Sequence, residues 1–215
     1  LSQDQMDALL SEAGFDGDSA GNDNTETQPQ QPAESDGTES AEGQGESSAG
    51  SVQRIVELFS EAAGSVISNL VNISVTVSPS ECRETDADAF PGDDSLVITI
   101  PLTEEIESAL YLVITKSEVA LLSDLMTMGD GTAEYTDDHK EAIAELSNQI
   151  MGQFVQSLTD SFSASLSHDT PSADEFDAAA PPFQTDASDM AVLTIDIEGK
   201  EQSDAVMVVP NDVKE

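Results

Sequence analysis

The sequence predicts an α+β domain built from two copies of one helix-strand-strand-strand unit. The copies share an antiparallel sheet, are related by a pseudo-two-fold axis, and carry two equivalent long helices behind a disordered acidic linker. Three observations predict this. Apolar residues recur at helical spacing over two long stretches, 52–70 and 138–158. Each stretch is followed by short runs of alternating apolar and polar residues, separated by acidic loops bearing Pro or Gly, which is a strand pattern. Aligning Glu57, Glu61 and Gly64 with Glu141, Glu145 and Asn148 gives a constant offset of 84, and Phe59, Ala62 and Val66 then fall on Ile143, Leu146 and Ile150.

In chain order, residues 1–11 have the spacing of a short amphipathic helix. Ser2 and Gln5 stand at capping-box distance, Asp4 sits in the first turn, and Met6, Leu9 and Leu10 form an apolar stripe. So short a helix is marginal alone, so its expected fate is a partner's groove. Residues 12–51 contain Pro29 and Pro32, many acidic and small polar residues, and no Lys or Arg. Such a segment buries too little to offset its ordering entropy and reads as a flexible tether that raises a partner's local concentration. The folded domain is expected over 52–215, with a first repeat at about 52–130 and a second at about 137–210. Within it the pattern predicts a helix at 52–70 and strands at 71–78, 95–101 and 108–115. A helix at 117–128 follows, ended by Gly129-Asp130-Gly131. The second repeat reads as a helix at 138–158 and strands at 161–168, 190–197 and 203–209. No counterpart of the 117–128 helix closes it, and the first residue is Leu, so the chain is expected to be a fragment of a longer protein.

Composition narrows the function. With 44 acidic residues against 6 Lys plus Arg, the formal charge is −38, which repels nucleic acid and anionic membrane surfaces and suggests a salt-adapted bacterium. The single cysteine, Cys82, allows no intrachain disulfide, and His139 and His168 stand in no metal-ligand spacing. No apolar run is long enough to insert in a bilayer, so a cytoplasmic protein is expected.

The chemistry concentrates on one stripe. Glu141, Glu145, Asn148 and Gly152 share one face of the second long helix, and Ile143, Leu146, Ile150 and Phe154 share the opposite one. A carboxylate and a carboxamide are thereby held outward on a rigid element. Taken alone, this pattern is more often that of a solvated helix face.

These residues resemble the CheC/CheX/FliY phosphatase family, whose site pattern is Asp or Ser, three residues, Glu, two residues, Asn, then 22 residues and Pro. Glu145, Asn148 and Pro171 fit it, and Glu141 takes the leading position with a longer side chain. The stretches Asp124–Thr132 and Asn148–Gly152 also resemble the family's middle domain. The segment formed by Leu1, Ser2, Gln3, Asp4, Met6, Asp7, Ala8, Leu9 and Leu10 resembles the CheY-binding segment at the start of the flagellar switch proteins FliM and FliY. The resemblance implies a flagellar switch component at the basal body that binds phosphorylated CheY and hydrolyses its aspartyl phosphate. Catalysis would fall to Glu145 and Asn148, supported by Glu141 and Pro171. It implies FliM, FliG and FliN-type partners, a C-terminal FliN-like domain in the full protein, no cofactor on this chain, and a Mg2+ on the regulator. In the first repeat, Glu57, Glu61 and Gly64 then read as a degenerate site lacking the amide. The alternatives are a non-catalytic FliM-like scaffold and a CheC-like phosphatase free of the motor.

Overall fold

The computed structural model describes residues 48–92, 94–163 and 165–213, so the expected 1–11 segment and nearly all of the linker lie outside them. Helix α1 runs Ser48–Val71, followed by β1 (Val75–Pro79), the short β2 (Arg83–Glu84), β3 (Ser95–Glu104) and β4 (Ser108–Thr115). Helix α2 (Lys116–Met126) opens at Thr115, whose Oγ1 accepts from the Glu118 N–H at 3.3 Å. It closes at Met126, two residues short of the expected 128: Met128 takes the left-handed conformation, φ 65°, and the Gly129 N–H donates to the Asp124 carbonyl.

Helix α3 (Asp138–Phe162) is followed by β5 (Leu166–His168), β6 (Ser172–Glu175), β7 (Ser188–Ile197) and β8 (Ser203–Pro210). The strand expected over 161–168 is therefore reduced to β5. Phe162 stays on the helix and packs against the core, and Ser163 ends α3 at φ 54°.

All strand pairs are antiparallel, in the order β1-β7-β8-β4-β3-β5, with β2 also on β7 and β6 also on β3. Successive side chains of a strand point to opposite faces. Leu96, Ile98 and Ile100 of β3 accordingly join the apolar faces of the three helices in the main core, while Val97 joins a second cluster on the other face with Val113, Val206 and Val208. Across the helix layer, Phe59 of α1 meets Phe154 of α3 edge-on at 5.5 Å.

The duplication is visible in the register. At the centre of the sheet Leu112 pairs with Met207, flanked by Tyr111↔Val208 and Val113↔Val206, which exchange under a two-fold rotation. At the edges, Val75↔Ile197 has its mate in Leu166↔Glu104, and Arg83↔Met190 has its mate in Asp174↔Val97. Both place the β1–β2 edge 91 residues before the β5–β6 edge. The helices obey the same offset: α1 ends in left-handed Asn72, φ 53°, and α3 in Ser163. Buried Val52, Ile55, Phe59 and Ile67 correspond to buried Ile143, Leu146, Ile150 and Leu158.

The offset of 84 is thereby corrected to 91. Seven residues are nearly two helical turns, so a shift of seven rotates the pattern by only about 20° and apolar periodicity cannot distinguish the two alignments. Strand pairing can, because a slip moves every pair.

Candidate functional site on helix α3

The exposed stripe is present on α3 as its periodicity requires. Ile143, Leu146, Ile150 and Phe154 are buried, whereas Glu141, Glu145 and Gly152 are exposed and Asn148 is half-buried. Glu145 Oε1 accepts from Gln149 Nε2 at 3.1 Å, one turn on, which steadies the carboxylate. The Asn148 carboxamide makes no hydrogen bond to another described residue, so both its N–H donors and its carbonyl are available to a ligand. Residues three apart on a helix stand about 5–6 Å apart at Cβ, so one docked group can touch Glu145 and Asn148 together.

Pro171 is brought near this helix by a different route. It is buried in the connection from β5 to β6, the two strands that pack beneath α3, and brings no polar group to the surface.

Sequence reasoning missed the group that holds the start of α3. Glu175, at the end of β6, receives Lys140 Nζ of α3 at 2.8 Å and Lys116 Nζ of α2 at 2.6 Å. These contacts hold the Glu175 carboxyl below the usual carboxylate range, the Lys116 hydrogen bond contributing most. They raise both ammonium groups above the usual lysine range. Lys116 Nζ also lies 5.4 Å from the Tyr135 ring centroid. Two of the chain's few basic residues are thus spent on one carboxylate, joining both helix starts to the strand that begins after Pro171. The scarcity of lysine was the available signal.

The first repeat differs from its expected form. At the 91-residue offset, Gly50, Arg54 and Glu57 stand where Glu141, Glu145 and Asn148 stand, and Ser80 stands where Pro171 does. Arg54 pairs with Glu57 at 3.7 Å, both exposed. Of the residues first assigned to a degenerate site, Glu57 belongs to the equivalent face but in the amide's place, and Glu61 is the mate of Gly152. Gly64 is buried, where a Cβ would lie 3.4 Å from the Val75 carbonyl oxygen and 3.5 Å from the Val77 nitrogen. It is a contact between α1 and β1, not a vacated amide position.

A duplicated α+β domain with two long helices on one face of an antiparallel sheet is a fold shared with chemotaxis and flagellar-switch proteins. The structure matches Thermotoga maritima FliY with a TM-score of 0.68 and 21% identity, covering 78% of this chain and 91% of that one. It matches the Helicobacter pylori FliM middle domain with a TM-score of 0.61 and 14% identity, covering 78% and 98%. For CheX from Vibrio vulnificus the TM-score is 0.55 at 12% identity, covering 73% and 98%. No family model matches. In sequence, the chain is 31% identical over 187 residues to the flagellar motor switch phosphatase FliY of Bacillus subtilis (strain 168), covering 82% of this chain and 44% of that protein. The chain belongs to the CheC/CheX/FliY family and is FliY-like within it. It spans less than half the length of that curated relative. No helix among the described residues is long and apolar enough to cross a membrane.

Proposed function

We propose that this chain is a flagellar motor switch component that docks the phosphorylated response regulator CheY and hydrolyses its aspartyl phosphate at the α3 stripe. The observation that carries the reading is the uncommitted Asn148 carboxamide, one turn from Glu145 on a helix fixed by a buried opposite face. In the reaction, a water attacks phosphorus in line, the bond from phosphorus to the aspartyl oxygen breaks, and carboxylate and inorganic phosphate leave. Asn148 orients the water by accepting from it and donating beside it, without removing its proton. Glu145 pairs with the regulator's active-site lysine and sets the docked geometry. The regulator's Mg2+ supplies the charge stabilisation, so this chain need add only position. Glu141 and Pro171 support the site, and residues 1–11 act as the capture segment.

The test is phosphate release from phosphorylated CheY with wild type and Asn148→Ala, alongside a direct binding measurement. Loss of accelerated release with binding preserved is expected, and undiminished release sinks the assignment. A second reading, a non-catalytic switch scaffold, is favoured by the likeness to FliM middle domains and by the altered first repeat. It predicts that wild type and Asn148→Ala release phosphate no faster than the regulator alone.

A further inference from the structure

Among the described residues, the sheet face turned away from the helices is covered by the two connections that carry Phe90, Phe176 and Phe183, which rest on Val97, Val113, Val206 and Val208. Phe90 and Phe183 meet at 5.5 Å, each standing five residues before the first residue of β3 or β7, so they are two-fold mates in contact. A hollow opens on each side of this ring pair, one of about 490 Å³ and one of about 480 Å³. The hollows are copies: Phe183, Ser108 and Pro210 line the first, and Phe90, Ser203 and Thr115 line the second at corresponding positions.

Among the described residues, neither hollow is lined by Lys or Arg, and each includes one carboxylate. In the first, Asp212 Oδ1 accepts from Ser108 Oγ at 2.8 Å, beside Tyr111, whose ring lies 5.1 Å from Phe183. In the second, Asp204 Oδ1 accepts from Thr194 Oγ1 at 2.8 Å. Each carboxylate therefore keeps an oxygen for another donor. Burial, and then the charge of Asp212, raise the Tyr111 phenol above its usual range, so the ring stays neutral at physiological pH. An aromatic wall with a carboxylate at its rim suits an arginine side chain, whose stem lies on the ring while its planar head bonds the carboxylate. The charge of −38 selects in the same direction, attracting basic partners and repelling acidic ones.

We propose that this helix-free face docks a basic segment of a partner protein, one arginine entering the hollow of Tyr111, Phe183 and Asp212 and a second entering its twin at Phe90 and Asp204. The proposal is independent of the phosphatase reading, since it uses no residue of α3. It is tested on the full 215-residue chain by amide NMR titration with N-acetyl-arginine amide and its uncharged isostere N-acetyl-citrulline amide. A NaCl concentration of about 0.5 M shortens the screening length to roughly 4 Å and removes diffuse attraction. Arginine is expected to shift resonances around Tyr111 and Phe183 saturably and citrulline not to. Asp212→Asn should weaken the first site at least fivefold while the Phe90 hollow keeps its response, and Asp204→Asn should do the reverse. Glu198→Gln, outside both hollows, should change neither. Equal shifts with citrulline, or shifts spread over the acidic surface and unaffected by Asp212→Asn, would overturn it.

Discussion

Arg54 of α1 occupies the place that Glu145 occupies on α3, and it is paired at 3.7 Å with Glu57, which stands in the place of Asn148. Charge is reversed at the position proposed to meet a lysine, and the amide proposed to orient the water is replaced by a carboxylate. One repeat therefore carries the proposed activity. Asn148→Ala is expected to lower accelerated phosphate release by about 10² to 10³, the usual loss for one positioned group. Glu57→Ala and Arg54→Ala should stay within about twofold of wild type, a span well under the 1.4 kcal/mol that a tenfold change represents. Initial rates at saturating regulator measure all three.

The fold was legible because helical and strand periods differ so much that each element declares itself. The existence of helices over 52–70 and 138–158, though each runs four residues further at one end, and of strands over 95–101 and 108–115 needed only apolar spacing. The repeat offset was not legible, because two turns of helix nearly superpose and 84 satisfied the pattern as well as 91. Gly64 was misplaced for that reason. Strands β2 and β6 went unread since at two and four residues they are too short for a period to show. The stripe was legible as a surface, but the Lys116–Glu175–Lys140 cluster was not. Its members are 24 to 59 residues apart, and nothing local marks an ion pair that only the fold assembles.

Glu175 and Glu118 carry opposite pH signatures. The two lysines depress the Glu175 pKa, so its contribution to stability is present above the unfolded carboxylate value and lost as pH falls through the lower folded one. The raised Lys116 and Lys140 contribute below the unfolded lysine value and lose their contribution as pH rises through the higher folded ones. Glu175→Gln should therefore lower the melting temperature near pH 7, and the difference should vanish in strong acid. Glu118 is buried, and burial raises its pKa while Ser203 only partly opposes the shift. The opposition is weak because, among the described residues, neither Glu118 Oε1 nor Ser203 Oγ has a hydrogen-bond partner. Its folded form prefers the proton, so stability falls as pH rises past the unfolded value, and Glu118→Gln should raise the melting temperature near pH 7 but not in acid. Thermal melts of both variants from acid to neutral pH read the two signs directly.

Gly64 and Gly152 separate packing from propensity. A Cβ on Gly152 meets nothing within 4 Å, and one on Gly64 meets β1 backbone at ordinary contact distance. Neither has the left-handed backbone that would strain a larger residue. Alanine at either position should therefore stabilise by about 0.5–1 kcal/mol through helix propensity. Leucine should be tolerated at exposed position 152 but should destabilise at 64 by about 1–3 kcal/mol, because α1 cannot lift from β1 without opening the core. Denaturant midpoints of the four variants distinguish the cases.

The first repeat can be asked to regain what it lacks. In an Asn148→Ala background, Arg54→Glu with Glu57→Asn rebuilds the acid and the amide at the two-fold-equivalent turn of α1, whose backbone follows α3 to the same left-handed end. The proline cannot be rebuilt as simply. At the position equivalent to Pro171, the Ser80 N–H donates to the Val192 carbonyl at 2.8 Å and Ser80 Oγ accepts from the Val192 N–H at 3.0 Å. Proline would abolish both. The double substitution should thus restore release to at least about tenfold above the Asn148→Ala background while remaining below wild type. Adding Ser80→Pro should lower the melting temperature without further gain. Recovery would show that the acid and amide suffice on a helix of this geometry. No recovery, with the variant folded, would mean that the two side chains are not enough and that the Pro171 backbone or the Lys140–Glu175 anchor sets the angle at which the regulator meets the stripe.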